Sequence, residues 1–162
     1  VNLPEGWLSL DEAHELQRLT KRKTVLELGA WKGRSTVAIA KVAKYVVSVD
    51  RHQGIEEEGG SDSLPDYLDA VRPLANVAIV VADFSRFCPL LCDYFDVVYI
   101  DGDHDEEAVA RDTQNALEHV HTSGMLVFHD WDFRAVRDGV TSILGLRSPH
   151  RVVGSVASYY AI

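Results

Sequence analysis

The sequence predicts a doubly wound α/β fold: a mostly parallel sheet with helices on both faces and an antiparallel hairpin at its C-terminal end. Three observations predict it. Strand-like apolar runs alternate with helix-like segments along most of the chain, the order that builds a parallel sheet from β-α-β units. The runs are apolar throughout rather than at every second residue, so both faces of the sheet are expected to be covered. Polar residues gather just after the strands, where open sheets of this kind bind ligands.

The elements follow in order. Ser9 to Leu19 reads as a leading helix, and Thr24 to Leu28 as the first strand. Ser35 to Val42 has the apolar spacing of a helix, and Tyr45 to Val49 is the second strand. Gln53 to Ser63 is polar and acidic, contains Glu56, Glu57, Glu58, Gly59 and Gly60, and reads as a loop. Pro65 to Val71 is helical, Val77 to Val81 is the third strand and Phe95 to Ile100 the fourth. Asp105 to His119 is the longest helix, Gly124 to Phe128 the fifth strand and Phe133 to Leu144 a further helix. Arg151 to Tyr160 reads as the hairpin.

The totals bound the answer. A chain of 162 residues fits one domain over 1–162. Its apolar fraction of 46% and charged fraction of 25% are those of a folded globular protein. A net charge of −9 argues against a broad nucleic-acid footprint, which needs clustered Lys and Arg. No apolar run reaches the roughly 18–20 residues that span a bilayer, so no membrane partner is expected. The first residues carry neither the basic flank nor the apolar stretch of a leader peptide, and the chain does not begin with Met. Cys88 and Cys92 stand four apart. They could form half a zinc site, but no second pair stands near them in sequence, so they read as reduced, partly buried cysteines in a cytoplasmic setting. Oligomeric state is not legible.

What stands after each strand is unusually polar. Gly29-Ala30-Trp31-Lys32-Gly33-Arg34-Ser35-Thr36 follows the first, Asp50-Arg51-His52 the second and Asp83-Phe84 the third. Asp101-Gly102-Asp103-His104 follows the fourth and His129-Asp130-Trp131-Asp132 the fifth. The first loop narrows the ligand class. A P-loop needs four residues between its glycines and then Lys-Ser or Lys-Thr. Gly29 and Gly33 are separated by one fewer, and Arg34 holds the Lys place. The second and third glycines of the dinucleotide fingerprint are missing, and Trp31 and Lys32 are bulky. A glycine loop without a phosphate cradle suits a nucleoside-like ligand that carries no phosphate. Glu27 would repel a phosphate there but pair with an ammonium group. Asp50, about twenty residues past the glycines, stands where an acidic side chain accepts from ribose hydroxyls. A calcium-loop reading of Asp101, Asp103, Asp105 and Asp112 fails, because Glu106 replaces the required glycine and a strand precedes the loop.

Glu27 to Thr36 resembles motif I of class I S-adenosylmethionine-dependent methyltransferases. Ile100 to His104 and Gly124 to Asp130 resemble later motifs of the small macrocin-type sugar O-methyltransferases and, more distantly, the catechol type. The resemblance covers about residues 22–132 and implies a Rossmann-like fold. It also implies that Glu27, Gly29 and Gly33 surround the methionine part of the cofactor, with Trp31 and Ser35 lining that site. Asp50 would hold the ribose, with His52 beside the ribose or adenine. Asp83 would accept from the adenine amino group beside Phe84, and Asp101 would face the sulfonium and the substrate. Catechol-type relatives also bind a divalent cation through an Asp after the fourth strand and an Asp-Asn pair after the fifth. Asp101 and Asp130 fit two of these positions, and Trp131 replaces the Asn. His129 or Asp132 could compensate, which leaves Mg²⁺ as a possible cofactor.

The implied reaction is methyl transfer from S-adenosylmethionine to a small-molecule acceptor, a hydroxyl by preference. It needs alignment of acceptor and methyl, and a base for the hydroxyl proton. His104 and His129 are the base candidates, and Asp103 could orient His104. Two other readings use the same fold: a non-catalytic domain that binds the cofactor, and an NAD-dependent oxidoreductase.

Overall fold

The computed structural model describes residues 3–53 and 62–161. Most of the expected Gln53 to Ser63 loop lies outside them, although Gln53 and Asp62 at its ends form an antiparallel bridge. In chain order the elements are α1 (Leu10–Thr20), β1 (Thr24–Leu28), α2 (Arg34–Ala40), β2 (Tyr45–Asp50), α3 (Leu64–Val71) and β3 (Val77–Val81). They continue with α4 (Phe84–Phe87) and a 3₁₀ turn (Cys88–Leu90), then β4 (Phe95–Ile100), α5 (Glu106–Leu117), β5 (Val120–Phe128), α6 (Arg134–Leu144), β6 (Arg151–Val153) and β7 (Val156–Tyr160).

The seven strands form one sheet in the order β3-β2-β1-β4-β5-β7-β6. β1 to β5 are mutually parallel, and the β6–β7 hairpin adds an antiparallel edge through β7. The chain leaves β1 toward β2 and β3 on one side and returns to β4 and β5 on the other. The strand order therefore reverses between β1 and β4.

The doubled apolar runs have a direct packing reason. Neighbouring residues of a strand point to opposite faces. Leu26, Val98 and Phe128 pack with Val109 of α5 and Val140 of α6. Val25, Val97 and Val127, one residue earlier, pack with Leu16 of α1 and Ile39 of α2 on the other face. Each such side chain contributes roughly 1.5–3 kcal/mol when fully buried. The exception is β3. It forms the sheet edge, and Ile79 and Val81 are 41% and 53% exposed, so coverage of both faces does not extend to the edge strand.

Helix ends follow local chemistry. Ser9 and Glu12 form a reciprocal capping box at α1. Asp83 caps α4 through the Ser85 N–H, and Asp105 caps α5 through the N–H groups of Glu107 and Ala108. The fifth strand starts earlier than its apolar run. His121, Thr122 and Ser123 are exposed and polar, yet the pairing of Val120 with Phe95 begins β5 before them. A register shift between Phe95 and Val97 absorbs the difference. No helix among the described residues is long and apolar enough to cross a membrane.

Glu12 joins the two ends of the described chain. Its Oε1 accepts from the Ser155 N–H (2.6 Å) and hydroxyl (2.8 Å) in the hairpin turn, and its Oε2 from the Ser9 N–H (2.7 Å). Burial opposes its charge, but these donors outweigh it and lower its pKa to about 2. A depressed pKa stabilises the folded state above the unfolded value and ceases to do so as pH falls through the folded value. Stability should therefore fall between about pH 4.5 and pH 2, by on the order of 3 kcal/mol from this group. Denaturant titrations at stepped pH should show Glu12→Gln with a flatter acid limb than wild type. Parallel profiles would refute this assignment.

Candidate active site

The carboxyl ends of the parallel strands make one rim. The sheet ladder runs one residue past each strand: the Gly29 N–H donates to Val49 O, Ala82 to Asp50 O, Asp101 to Leu28 O and His129 to Ile100 O. Those bonds bring together the segments singled out by their polarity.

Gly29 leaves β1 with φ +86°, and a Cβ on it would collide with the backbone carbonyl of Asp101. Only glycine lets the loops after β1 and β4 come this close at that φ. Gly33 also has positive φ, and the Tyr67 ring lies 3.1 Å from where its Cβ would stand. Between them, Trp31 holds the left-handed region at φ 44°.

Asp50 lies at the end of β2, and its carboxylate organises this loop. Oδ2 accepts from the N–H groups of Ala30 (2.7 Å) and Trp31 (2.8 Å), and Oδ1 from that of His52 (2.6 Å). A carboxylate has about four acceptor positions, so roughly one stays open. His52 does not face the rim. It is buried, its Nδ1 sits 3.1 Å from the Ser63 hydroxyl and its ring packs on Tyr67 at 4.6 Å.

Glu27 departs from its expected place beside a ligand. It is fully buried under the loop, where Oε2 accepts from Thr36 (2.6 Å) and Ser48 (2.7 Å) and the Ser35 side chain adds a hydrogen bond. Burial raises its pKa to about 7 against these donors. Ser35 is likewise buried and turned to Glu27 rather than to the rim. Glu27 Oε1 and the Tyr67 hydroxyl are buried with no hydrogen-bond partner.

Asp83 lies at the rim. Its pKa is lowered by the Ser85 hydroxyl, and Arg51 stands 3.9 Å away. Phe84 does not flank it in the open, because its ring belongs to the apolar core.

The ends of β4 and β5 carry a charged cluster. Asp101 accepts from the Tyr99 hydroxyl (2.8 Å). His129 is buried, with Nδ1 3.0 Å from Asp130 and 3.3 Å from Asp101, and Nε2 3.2 Å from the Ser155 hydroxyl. Burial works against the charge on His129, but hydrogen bonds and charge from Asp101 and Asp130 prevail and raise its pKa to about 11. His129 is thus buried with its charged form favoured and both ring nitrogens engaged, which speaks against the expectation of it as the base. Asp130 stays well below the usual carboxylate range despite its burial, because His104 and His129 both donate to it.

His104 is the exposed member. Its Nε2 lies 2.8 Å from Asp130 Oδ2, which raises its pKa, and its ring stacks on Phe133 at 5.2 Å. Asp103 turns away and accepts from the Asp105 N–H. A shallow cleft lined by Asp101, His104, His129 and Asp130 opens here.

Donor atoms of Asp101, His104 and Asp130 lie within 4.8 Å of one another, close enough to share a metal ion. The donor set nevertheless fits Mg²⁺ poorly. That ion demands oxygen ligands in octahedral order. Asp130 Oδ2 is engaged by two imidazoles, and the His129 ring stands between the carboxylates where an ion would have to bridge them. Trp131 offers no ligand and packs on Tyr159 (5.7 Å), while exposed Asp132 gives its carbonyl to Arg137. The residues present therefore do not fit the expected Mg²⁺.

Several residues here escaped sequence reading. Tyr99 was detectable in principle, two positions before Asp101 on the same strand face. Ser155 and Glu12 reach His129 only through tertiary packing, with Glu12 Oε2 3.8 Å from Nε2. Trp7, 77% exposed, packs at a tilt against Trp31 with ring centres 4.4 Å apart, and no local signal announces that contact.

A family model described as a methyltransferase domain matches residues 26–131, well over half of the chain. Among solved structures, cofactor-bound Rv0187 from MTB superposes with a TM-score of 0.76 at 20% identity, over 97% of this chain and 82% of that one. TomG, an O-methyltransferase of tomaymycin synthesis from Streptomyces achromogenes solved with S-adenosylmethionine, gives 0.70 at 16% identity over 96% and 82%. An O-methyltransferase from Bacillus cereus in complex with S-adenosylhomocysteine gives 0.70 at 16% identity over 97% and 84%. The chain belongs to the methyltransferase domain family and has the fold of these S-adenosylmethionine- and S-adenosylhomocysteine-bound enzymes.

Proposed function

We propose that this chain transfers a methyl group from S-adenosylmethionine to a hydroxyl of a small molecule. One observation carries the reading: the glycine loop held by Asp50 and the His104–Asp130 pair face the same rim, on either side of the β1/β4 reversal point. Ligands of such sheets bind at that crevice.

In this reading the rim residues from Asp83 to Asp101 would hold the cofactor. The open acceptor position of Asp50 would take one ribose hydroxyl, and Asp50 could hold a second only in place of a loop N–H group. Asp83 accepts from the adenine amino group. The backbone of Gly29 and Gly33 borders the methionine part, and Asp101 stands by the sulfonium. Asp130 holds Nε2–H of His104, which turns the Nδ1 lone pair outward as the base for the acceptor hydroxyl. His129 keeps Asp101 and Asp130 in place and balances their charge. The donor in methyl transfer is the cofactor's own sulfonium; the protein aligns, desolvates and removes one proton.

A small-molecule acceptor is favoured by the net charge of −9, which repels a polyphosphate backbone. A non-catalytic cofactor-binding domain is the second reading, since fold alone does not fix function. Turnover with a panel of hydroxyl acceptors separates the two readings.

Calorimetric titration with S-adenosylhomocysteine, with NADH as control, should show binding of the first only. Binding of NADH alone would favour the oxidoreductase reading. Asp50→Ala should weaken S-adenosylhomocysteine by about ten- to a hundredfold, since each lost hydrogen bond in a buried site costs about 1–3 kcal/mol. Unchanged affinity would remove Asp50 from the site.

His104→Gln should lower kcat by roughly 10²–10⁴-fold, the range of general-base catalysis, and leave S-adenosylhomocysteine affinity intact. An equal loss of both would make His104 a cofactor contact instead. Activity should persist after dialysis against EDTA; a loss restored by Mg²⁺ would overturn the reading of the Asp101–Asp130 pair as neutralised by histidine.

A further inference from the structure

Away from the rim, the fold assembles a second cluster from residues far apart in sequence. Cys88 opens the 3₁₀ turn after α4, and His119 links α5 to β5; both are buried. Cys88 Sγ and His119 Nε2 lie 2.9 Å apart. Glu118 brings a carboxylate from the solvent side, and one donor atom from each of the three residues lies within 4.8 Å of the others. The cluster sits where β4 and β5 begin: His119 O accepts from the N–H of Phe95, and Val120 starts β5. The rim described above lies at the other ends of these strands.

A second observation gives the cluster its chemistry. His119 Nδ1 lies 3.3 Å from the Asp93 carbonyl. An imidazole that gives its Nδ1–H to a carbonyl presents Nε2 as a lone pair, the arrangement that orients metal-ligating histidines. That lone pair points at the sulfur. Thiolate, imidazole and carboxylate together match zinc, and the sulfur selects against the hard cations Mg²⁺ and Ca²⁺.

We propose that Cys88, His119 and Glu118 form a zinc site whose fourth position is taken by water, at the pole opposite the methyl-transfer rim. The thiol proton leaves to solvent as the zinc–sulfur bond forms. Tetrahedral zinc holds sulfur and nitrogen roughly 3.5 Å apart, given bond lengths near 2.3 and 2.0 Å. Binding therefore spreads the present pair by about half an ångström, a movement that a short turn and a helix end can absorb. The ion clamps the β3–β4 connection to the end of α5, so it acts on stability and not on the reaction.

The test is titration of the reduced protein with Co²⁺, followed by Zn²⁺. One equivalent of Co²⁺ should produce a thiolate-to-cobalt charge-transfer band, which Zn²⁺ then removes. Cys88→Ser should abolish the band, Cys92→Ser should leave it unchanged, and His119→Gln should weaken Co²⁺ by at least about tenfold. Glu118 is exposed, so Glu118→Gln keeps the fold and should also weaken binding. Zn²⁺ should raise the thermal midpoint of wild type but not that of Cys88→Ser. A wild type with no band overturns the proposal. So does a band that survives Cys88→Ser, one lost with Cys92→Ser, or Co²⁺ affinity unmoved by both His119→Gln and Glu118→Gln.

Discussion

The rim depends on the close approach of Gly29 to the backbone of Asp101. β1 and β4 are neighbours in the sheet although two strands and their helices separate them in the chain. The loops that leave them must therefore share a narrow space. A glycine at φ +86° lets one loop bend over the other without collision. The ladder bonds beyond the strand ends then carry Asp50, Asp101 and His129 to the same height. Without that approach the glycine loop and the charged cluster would face different spaces.

Charge is balanced at this rim by a buried imidazolium. Two carboxylates in contact normally repel, and one of them takes up a proton. Here His129 stands between Asp101 and Asp130 and helps hold Asp130 ionised, while Glu12 approaches its far side. The leading helix, the hairpin turn and the end of β5 are thereby joined through one side chain and the Ser155 hydroxyl. In the proposed function the exposed His104, held by Asp130 through Nε2, is therefore the base rather than the buried His129.

The fold was legible in the chain because its signals are local and repeated: doubled apolar runs, capping residues and polar strand ends. The rim was legible for the same reason, since the residue after each strand is fixed by the sheet itself. Side-chain direction was not. Glu27 lies under the loop and Phe84 in the core because the residues they pack against come from other elements. The charge state of His129 needed Asp101, 28 residues earlier, to be placed beside it. Cys88 looked unpartnered because His119 lies 31 residues further on and meets it only through the packing of α4 against α5. The polar start of β5 was hidden because its pairing with β4, not its composition, makes it a strand.

Strain at the rim follows the same geometry. Among the described residues, four non-glycine positions hold positive φ, and three of them are Trp31, His52 and Asp130, all just past strand ends. Such conformations cost on the order of 1–3 kcal/mol each unless their surroundings enforce them. At two of the three the enforcing group is the same. The N–H of Trp31 and the N–H of His52 both donate to the Asp50 carboxylate. One ribose hydroxyl can take the open position on Asp50, but a second would compete for those lone pairs, so in the proposed function full ribose binding also loosens the loop that must wrap it. Ligand affinity at Asp50 and the conformation of the Gly29 to Gly33 loop are then one equilibrium, because a single carboxylate cannot satisfy the loop and both hydroxyls at once.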